Sequence, residues 1–192
     1  MSYGKLKVVS TKMFGHGLPK KHSTALDALI RYPWLRDYEF IAVVRNPWAW
    51  IRSYYLFIRH TTKNPDTGKS SHHHLFPTVS SMTFERFVEW VTLEHGLANL
   101  SSRRKSYFAN KRPILQQDWI AGTNQEPLTP HVARFERLTS DFARICADLR
   151  LPIGRIPHEN QSPTTISRTK FSRRAANLIG DYFEEDIKLF NY

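Results

Sequence analysis

The clearest hydrophobic pattern in the chain is an unbroken apolar run over residues 40–44, Phe-Ile-Ala-Val-Val, with charged residues on both sides. A short run of this kind, rich in β-branched residues, predicts a strand buried on both faces of a parallel sheet. Arg45, Asn46 and Pro47 follow at once, and the pattern over 48–58 predicts a helix with the proline in its first turn. Arg45 is therefore expected at the carboxyl end of the strand, where open α/β sheets bind their ligands.

Apolar residues at helical spacing recur in other parts of the chain. Ser23 or Thr24 is suited to cap the first of these segments, which Pro33 ends, and Thr83 is suited to cap the next. The predicted helices are 25–30, 84–93, 140–149 and 173–190, and the predicted short strands are 6–9 and 132–135. Because strands and helices alternate, the pattern favours an α/β fold over an all-α or all-β fold.

The length and composition indicate a folded domain. The chain has 192 residues, of which 41% are hydrophobic and 13% are aromatic. Disordered chains contain few aromatic residues, and this length suits one domain with a core of its own. We therefore expect a single domain over residues 1–192.

The strong positive charge predicts an anionic partner. The net charge is +11 and the pI is near 9.9. Nucleic acid, a membrane surface, a phosphorylated nucleotide and an acidic polysaccharide all fit, and charge alone does not choose among them. Residues 1–7 lack the apolar stretch of a signal peptide, and the longest apolar run is far shorter than the roughly 20 residues of a membrane span. We expect a soluble, cytoplasmic protein.

Cysteine and histidine usage gives little sign of disulfide or metal chemistry. The single cysteine, Cys146, lies in an apolar helical stretch and is expected to be buried. His72, His73 and His74 lie in a polar segment over 61–78. Adjacent histidines point in different directions on regular structure, so we predict no metal site.

Arg45 and Ser53 are the best candidates for a binding site in this sequence. Ser53 follows Arg45 by eight positions and falls on the helix after the strand. Arginine offers a planar fork of donors that fits a phosphate, and serine offers a small donor beside it. Together the two side chains can bind one phosphate group.

The whole segment resembles the 3′-phosphate-binding motif of sulfotransferases that use 3′-phosphoadenosine 5′-phosphosulfate (PAPS). In that motif an apolar strand is followed by Arg-Asn-Pro, here 45–47, and then by Ser-x-Tyr, here 53–55. Five further blocks are similar, in the same order, to segments of the carbohydrate-type and bacterial members. They are 21–25 with Trp34 and 38–40, then 116–120, 134–138 with 141–142, 157–162, and 182–192. The resemblance runs from about His22 to Tyr192.

This resemblance implies a P-loop-like, three-layer α/β fold with a short central parallel sheet. It implies an enzyme that moves a sulfuryl group from PAPS to a hydroxyl of a carbohydrate or similar acceptor. Arg45 and Ser53 would bind the 3′-phosphate of the nucleotide. His22 is the candidate general base, because histidine titrates near neutral pH, and His16 is a weaker alternative. Lys20 is the available cation for the leaving phosphate, and no metal is required.

Two departures from the family pattern change what is expected. Ala49 and Trp50 stand where the family often has Asp-Arg. The family also opens with a strand and a Pro-Lys-x-Gly-Gly-Thr-Ser loop, whose backbone N–H groups hold the 5′-phosphosulfate. Residues 19–25 match that loop in Lys20 and Thr24 but lack its glycines. The resemblance therefore predicts an N-terminally shortened fold, in a fragment of a longer enzyme or a member with a damaged donor site.

Three functions remain open at this point. The first is an active sulfotransferase whose partners are a nucleotide sulfate donor and a carbohydrate-like hydroxyl acceptor. The second is a non-catalytic remnant that still binds the nucleotide. The third is a basic nucleic-acid-binding protein, which the charge fits. The sequence shows no zinc finger, helix-turn-helix or aromatic RNA-binding signature, so we expect no stable nucleic acid partner.

Overall fold

The structure is a computed structural model that describes residues 24–60, 62–63, 70–71, 73–94, 115–152 and 171–192. The residues group into two compact units. The first unit comprises Met1–Val44 and Ile114–Ile156, and the second comprises Arg45–Pro113 and Pro157–Tyr192. The single domain over 1–192 stays a prediction.

Helices and strands alternate along the described residues, as the sequence predicts. In chain order they are α1 (Ala25–Arg31), β1 (Ile41–Val44), α2 (Pro47–Arg59), β2 (Thr62–Lys63), β3 (Ser70–Ser71), α3 (Phe76–Val79), α4 (Phe84–Thr92), β4 (His131–Arg134), α5 (Leu138–Asp148), α6 (Arg173–Tyr182) and α7 (Glu184–Phe190). Short 3₁₀ turns occupy Pro33–Asp37, Gln117–Trp119 and Phe135–Arg137. None of the helices in the described ranges has the length and apolarity to cross a membrane.

Two parallel strands form the sheet of the first unit. β1 and β4 pair with Ile41 opposite His131 and Val44 opposite Arg134. Helix α5 packs on β4, and its Cys146 is buried as predicted. A short parallel sheet packed by a helix confirms the α/β class that the hydrophobic pattern indicates.

Two polar side chains fix the ends of these strands. Asp141, in the first turn of α5, accepts a hydrogen bond from the backbone N–H of Arg134 at 2.9 Å. The buried hydroxyl of Thr129 donates to the carbonyl of Phe40 and accepts from the N–H of His131 at 3.0 Å. Arg134 and Asp141 belong to one family-like block, and their spacing is explained by this contact between strand and helix.

The burial of β1 differs from the prediction of a strand covered on both faces. Ile41 is 39% exposed and Val43 is 54% exposed, whereas Val44 is buried. Successive side chains of a strand point to opposite faces, so Ile41 and Val43 share the face that stays open. The predicted burial on both faces is therefore wrong. Among the described residues β1 pairs only with β4, and an apolar run does not say which of its faces a helix will cover.

The core of the second unit lies among α2, α4 and α6. These three helices each contribute fully buried side chains: Ile51, Ile58, Phe87, Val88, Val91 and Ile179. Each helix begins at a residue whose side chain accepts a backbone N–H at 3.2 Å, namely Asn46, Thr83 and Ser172. The predicted cap at Thr83 and the predicted proline in the first turn of α2 are both confirmed.

A tryptophan joins α2 directly to α6. The indole Nε1–H of Trp48 donates to the backbone carbonyl of Ala176 at 2.9 Å, across a sequence separation of 128 residues. The carbonyl belongs to the first part of α6, so the bond fixes the start of one helix against the start of the other.

The C-terminal segment forms two helices, so the prediction of one helix over 173–190 is wrong. The break falls at Phe183, which has φ −105° and ψ 22°. Its ring is buried and lies edge-on to Trp50, with centroids 5.7 Å apart. Glu184, Glu185 and Asp186 then occupy the first turn of α7. Burial of the aromatic ring stabilises the bend, and three acidic residues stabilise a new helix N-terminus.

The imidazole of His73 lies against two aromatic rings of α2 and against the ring of His74. Its centroid is 5.4 Å from Phe57, 5.9 Å from Tyr54 and 4.2 Å from His74. Its Nδ1 accepts the backbone N–H of Leu75 at 3.2 Å, just before α3. Burial lowers the pKa of His73, and the neighbouring His74 lowers it further. The neutral imidazole is therefore the form that this environment favours.

We predict that Trp48→Phe lowers the free energy of unfolding by about 1–3 kcal/mol, because the Ala176 carbonyl loses its donor. Urea denaturation followed by circular dichroism measures the change. Trp34→Phe is the control. Because the Trp34 ring is 44% exposed, this substitution should lower the free energy of unfolding much less. Equal destabilisation by the two variants would contradict the importance of this bond.

We predict that protonation of His73 destabilises the fold. Its folded pKa lies below its usual value near 6.5, so its contribution is complete above that pH and is lost as the pH falls below it. His73→Asn keeps an acceptor for the Leu75 N–H but does not titrate. The loss of thermal stability between pH 7.5 and 5.5 should therefore be smaller in His73→Asn than in the wild type. Parallel losses in the two proteins would show that His73 is not the titrating group.

Candidate functional site

Arg45 lies at the point where the chain leaves a strand and enters a helix. It follows Val44, the last residue of β1, and precedes Asn46, which caps α2. The Asn46 side chain accepts the N–H of Ala49 at 3.2 Å, and Pro47 occupies the first helical position. The sequence therefore fixes a sharp start for α2 one residue after Arg45, and the Arg45 side chain is half-buried.

Ser53 lies on α2 in its second turn. It comes six residues after Pro47, which is about 9 Å along the helix axis at 1.5 Å per residue. The side chain is half-buried. Among the residues that the structure describes, none hydrogen-bonds to its hydroxyl. The structure thus places both predicted phosphate-binding residues in the second unit, one before α2 and one on it.

The C-terminal half of α2 is held by the segment that links α3 to α4. The hydroxyl of Tyr55 donates to the carbonyl of Met82 at 2.8 Å. The guanidinium of Arg59 donates to the carbonyls of Ser80 at 2.7 Å and Met82 at 3.0 Å, and it lies over the Tyr55 ring. Tyr55 is the tyrosine of the Ser-x-Tyr motif, so here that tyrosine orients the helix that carries Ser53.

Aromatic packing occupies the position where the family often has an ion pair. The ring of Trp50 stacks on Tyr54 with centroids 5.5 Å apart and planes 10° apart. It also lies edge-on to Phe183. Burial raises the pKa of Tyr54, so its phenol stays neutral in this contact. The departure at Ala49 and Trp50 therefore replaces charges by rings that hold α2 against the C-terminal helices.

A cation beside Ser53 was not predicted from the sequence. The guanidinium of Arg52 lies over the ring of Phe171, 5.6 Å from its centroid. Phe171 in turn packs edge-on to Phe84, with centroids 5.4 Å apart. This contact fixes the residue before the α6 cap against the α2 position next to Ser53. No local signal marks it, because the two residues that meet are distant in sequence.

Thr24 is the described member of the segment that partly matches the family's phosphate loop. Its hydroxyl accepts the N–H of Asp27 at 3.0 Å and caps α1, and the residue is buried. His22, the candidate base, lies outside the described residues, as do Lys20 and His16. Their roles stay predictions, and so does the role of the 157–162 block.

The described residues contain no recognisable metal site. Within them, no three His, Cys, Asp or Glu side chains come together in a way that could hold an ion. The rings of His73 and His74 instead lie against each other with their planes tilted by 36°, and His73 uses Nδ1 to accept a backbone N–H. His72 lies outside the described residues.

Comparison with known proteins gives one match that covers nearly the whole chain. The model of the sulfotransferase family matches residues 7–192, which include the Arg45 and Ser53 segment and the other blocks that resemble this family. No curated protein and no solved structure matches the chain. A transferase family is thus indicated over both compact units, and the chain belongs to the sulfotransferase family.

Proposed function

We propose that this chain transfers a sulfuryl group from PAPS to a hydroxyl of a carbohydrate or similar acceptor. The observation that carries the proposal is the placement of Arg45 between a parallel strand and α2, with Ser53 in the second turn of that helix. Family membership supports a sulfate donor and a hydroxyl acceptor. The net charge of +11 favours the approach of an anionic nucleotide.

Arg45 and Ser53 have the chemistry that a phosphate monoester requires. The guanidinium supplies two parallel N–H donors and a permanent positive charge. The Ser53 hydroxyl supplies one further donor from a half-buried position. Because α2 is fixed by Trp48 and Tyr55, the backbone that carries Ser53 is preorganised, which lowers the entropy cost of binding. We assign them to the 3′-phosphate of the nucleotide.

Sulfuryl transfer requires a base, a stabilised leaving group and an in-line arrangement. His22 takes the proton from the acceptor hydroxyl, whose oxygen forms the new bond to sulfur. The bond between sulfur and the bridging phosphate oxygen breaks, and the electron pair stays on that oxygen. Lys20 offsets the charge that develops there.

A second candidate function is nucleotide binding without turnover. The position of Thr24 favours it, because this residue is buried at the cap of α1 and its hydroxyl has little access to a ligand. The segment around Lys20 also lacks the glycines that let a backbone approach a phosphate closely. In this case the 3′-phosphate contacts would persist while donor activation is lost.

We predict that Arg45→Ala weakens binding of adenosine 3′,5′-bisphosphate by about 10- to 150-fold, since a charge-assisted hydrogen bond is worth about 1.5–3 kcal/mol. Isothermal titration calorimetry measures the dissociation constant. Ser53→Ala should weaken binding less, because a neutral donor is lost. Arg144→Ala is the matched control, since it also removes one arginine but from the surface pair with Asp148 on α5. Equal affinity in wild type and Arg45→Ala would reject the site.

We expect turnover by this chain alone to be weak, because loss of one preorganised donor typically costs about 100- to 1,000-fold in rate. A radiolabelled donor assay over sugar and phenol acceptors, with His22→Ala and Lys20→Ala beside the wild type, measures it. Rapid turnover that Lys20→Ala abolishes would contradict this expectation and make 19–25 a working loop. No turnover with intact nucleotide binding supports the second candidate. If neither turnover nor nucleotide binding is found, the remaining hypothesis is a protein whose basic surface binds nucleic acid.

A further inference from the structure

Three aromatic side chains form a patch between α1 and β1, in which Trp34 is exposed and the two tyrosines are half-buried. We call Tyr32, Trp34 and Tyr38 the aromatic patch. The Trp34 ring lies edge-on to Tyr32, with centroids 6.2 Å apart and planes at 65°, and edge-on to Tyr38, at 5.6 Å and 74°. Trp34 is nevertheless 44% exposed. A cluster of aromatic rings that reaches the surface is a candidate binding surface, because such rings offer a large apolar contact area.

The patch is held rigidly by the 3₁₀ turn that carries it. Pro33 opens the turn, and Leu35, which is buried, anchors it from below. The N–H of Leu35 donates to the carbonyl of Tyr32 at 2.9 Å, and the N–H of Tyr38 donates to the carbonyl of Leu35 at 3.1 Å. The turn thus fixes the backbone of Trp34, and the contacts with Tyr32 and Tyr38 restrain its ring, which lowers the entropy cost of stacking a ligand on it.

The polar residues around the patch carry both signs of charge. Arg31 and Arg36 are exposed, and so is Asp37. Residues three apart in a 3₁₀ helix lie on the same face, so Asp37 shares the face of Trp34. A guanidinium only donates hydrogen bonds and a carboxylate only accepts them, whereas a hydroxyl does both. A mixed rim beside a flat ring therefore fits a molecule with many hydroxyls and an apolar face.

The mixed rim argues against the other ligands that a basic protein attracts. An anionic membrane surface or a nucleic acid backbone favours basic residues alone, and Asp37 on the face of Trp34 repels both. A hexose unit has the required chemistry, since C–H groups cover one face of the ring and hydroxyls surround its edge. Arg31 and Arg36 can also pair with a carboxylate on such a sugar.

We propose that the aromatic patch is a docking surface for an oligosaccharide, with a hexose ring stacked on Trp34 and its hydroxyls bonded to Asp37. The proposal deepens the proposed function, because it rests on a carbohydrate acceptor. It concerns binding, however, and needs neither the nucleotide nor turnover in order to be tested.

The test is titration of the full chain with unsulfated chondroitin tetrasaccharide and with neutral chitotetraose. Nuclear magnetic resonance of the indole N–H groups follows the five tryptophans separately, with Trp34 assigned from Trp34→Phe. We expect saturable binding of at least one saccharide and a shift of the Trp34 signal in the wild type. Trp34→Ala should weaken binding at least about tenfold, as loss of a central tryptophan contact does. Asp37→Ala should weaken it less.

Controls separate the patch from general effects. Leu189→Ala removes an apolar side chain of similar exposure, 43%, from α7 and should leave binding unchanged. Thermal unfolding shows whether Trp34→Ala is folded, and the wild-type shift stands whether or not that variant folds. Shifts at another tryptophan, no binding of either saccharide, or unchanged binding by folded Trp34→Ala would each overturn the proposal. Binding of phosphatidylserine vesicles in place of the saccharides would overturn it in favour of a membrane surface.

The failure of this proposal is distinguishable from failure of the proposed function. Arg45→Ala should leave saccharide binding unchanged while it weakens nucleotide binding. Saccharide binding that persists in a protein without turnover keeps the docking surface and rejects the catalytic proposal. Turnover on a saccharide with an unchanged KM in Trp34→Ala rejects the docking surface and keeps the catalytic proposal.

Discussion

The hydrogen bond from the Trp48 indole to the Ala176 carbonyl is the constraint on which the second unit depends. It fixes the first turn of α2 against the first turn of α6, and the Tyr55 hydroxyl fixes the later part of α2 through Met82. A helix held at two points cannot rotate about its axis. Ser53 therefore keeps one orientation within the second unit, and Arg45 lies two residues before the fixed first turn of α2. Orientation of the phosphate-binding candidates thus follows from packing, before any ligand is present.

The same packing explains how the chain tolerates its departures from the family pattern. An Asp-Arg pair would hold α2 by charge, whereas Trp50 does so by contact with Tyr54 and Phe183. The bend at Phe183 belongs to this arrangement, because a continuous helix would not direct that ring toward Trp50. Trp50 and the break between the two C-terminal helices are therefore linked by one ring contact.

Features that depend on neighbours in sequence could be predicted, and those that depend on distant contacts could not. The cap at Thr83 and the strand-to-helix junction at Arg45 follow from a few consecutive residues, so pattern alone locates them. The exposure of Val43 could not be predicted, because it depends on which elements cover that face of the sheet. Contact between Arg52 and Phe171 joins residues from distant segments. The sequence predicts the candidate site through its junction, but not the contacts that orient it.

Aromatic contacts and ion pairs respond differently to the salt concentration of the solvent. Stacking of Trp50 on Tyr54 is not screened by ions, whereas attraction between a guanidinium and a phosphate weakens as the Debye length shortens, from about 10 Å at 0.1 M salt to about 3 Å at 1 M. The ring contacts of Trp50 are therefore insensitive to ionic strength, whereas salt screens the ion pair of Arg174 with Glu89 between α6 and α4 and the attraction proposed between Arg45 and a phosphate. A rise in salt content should therefore weaken the proposed phosphate contact of Arg45 more than it weakens the aromatic contacts that hold α2.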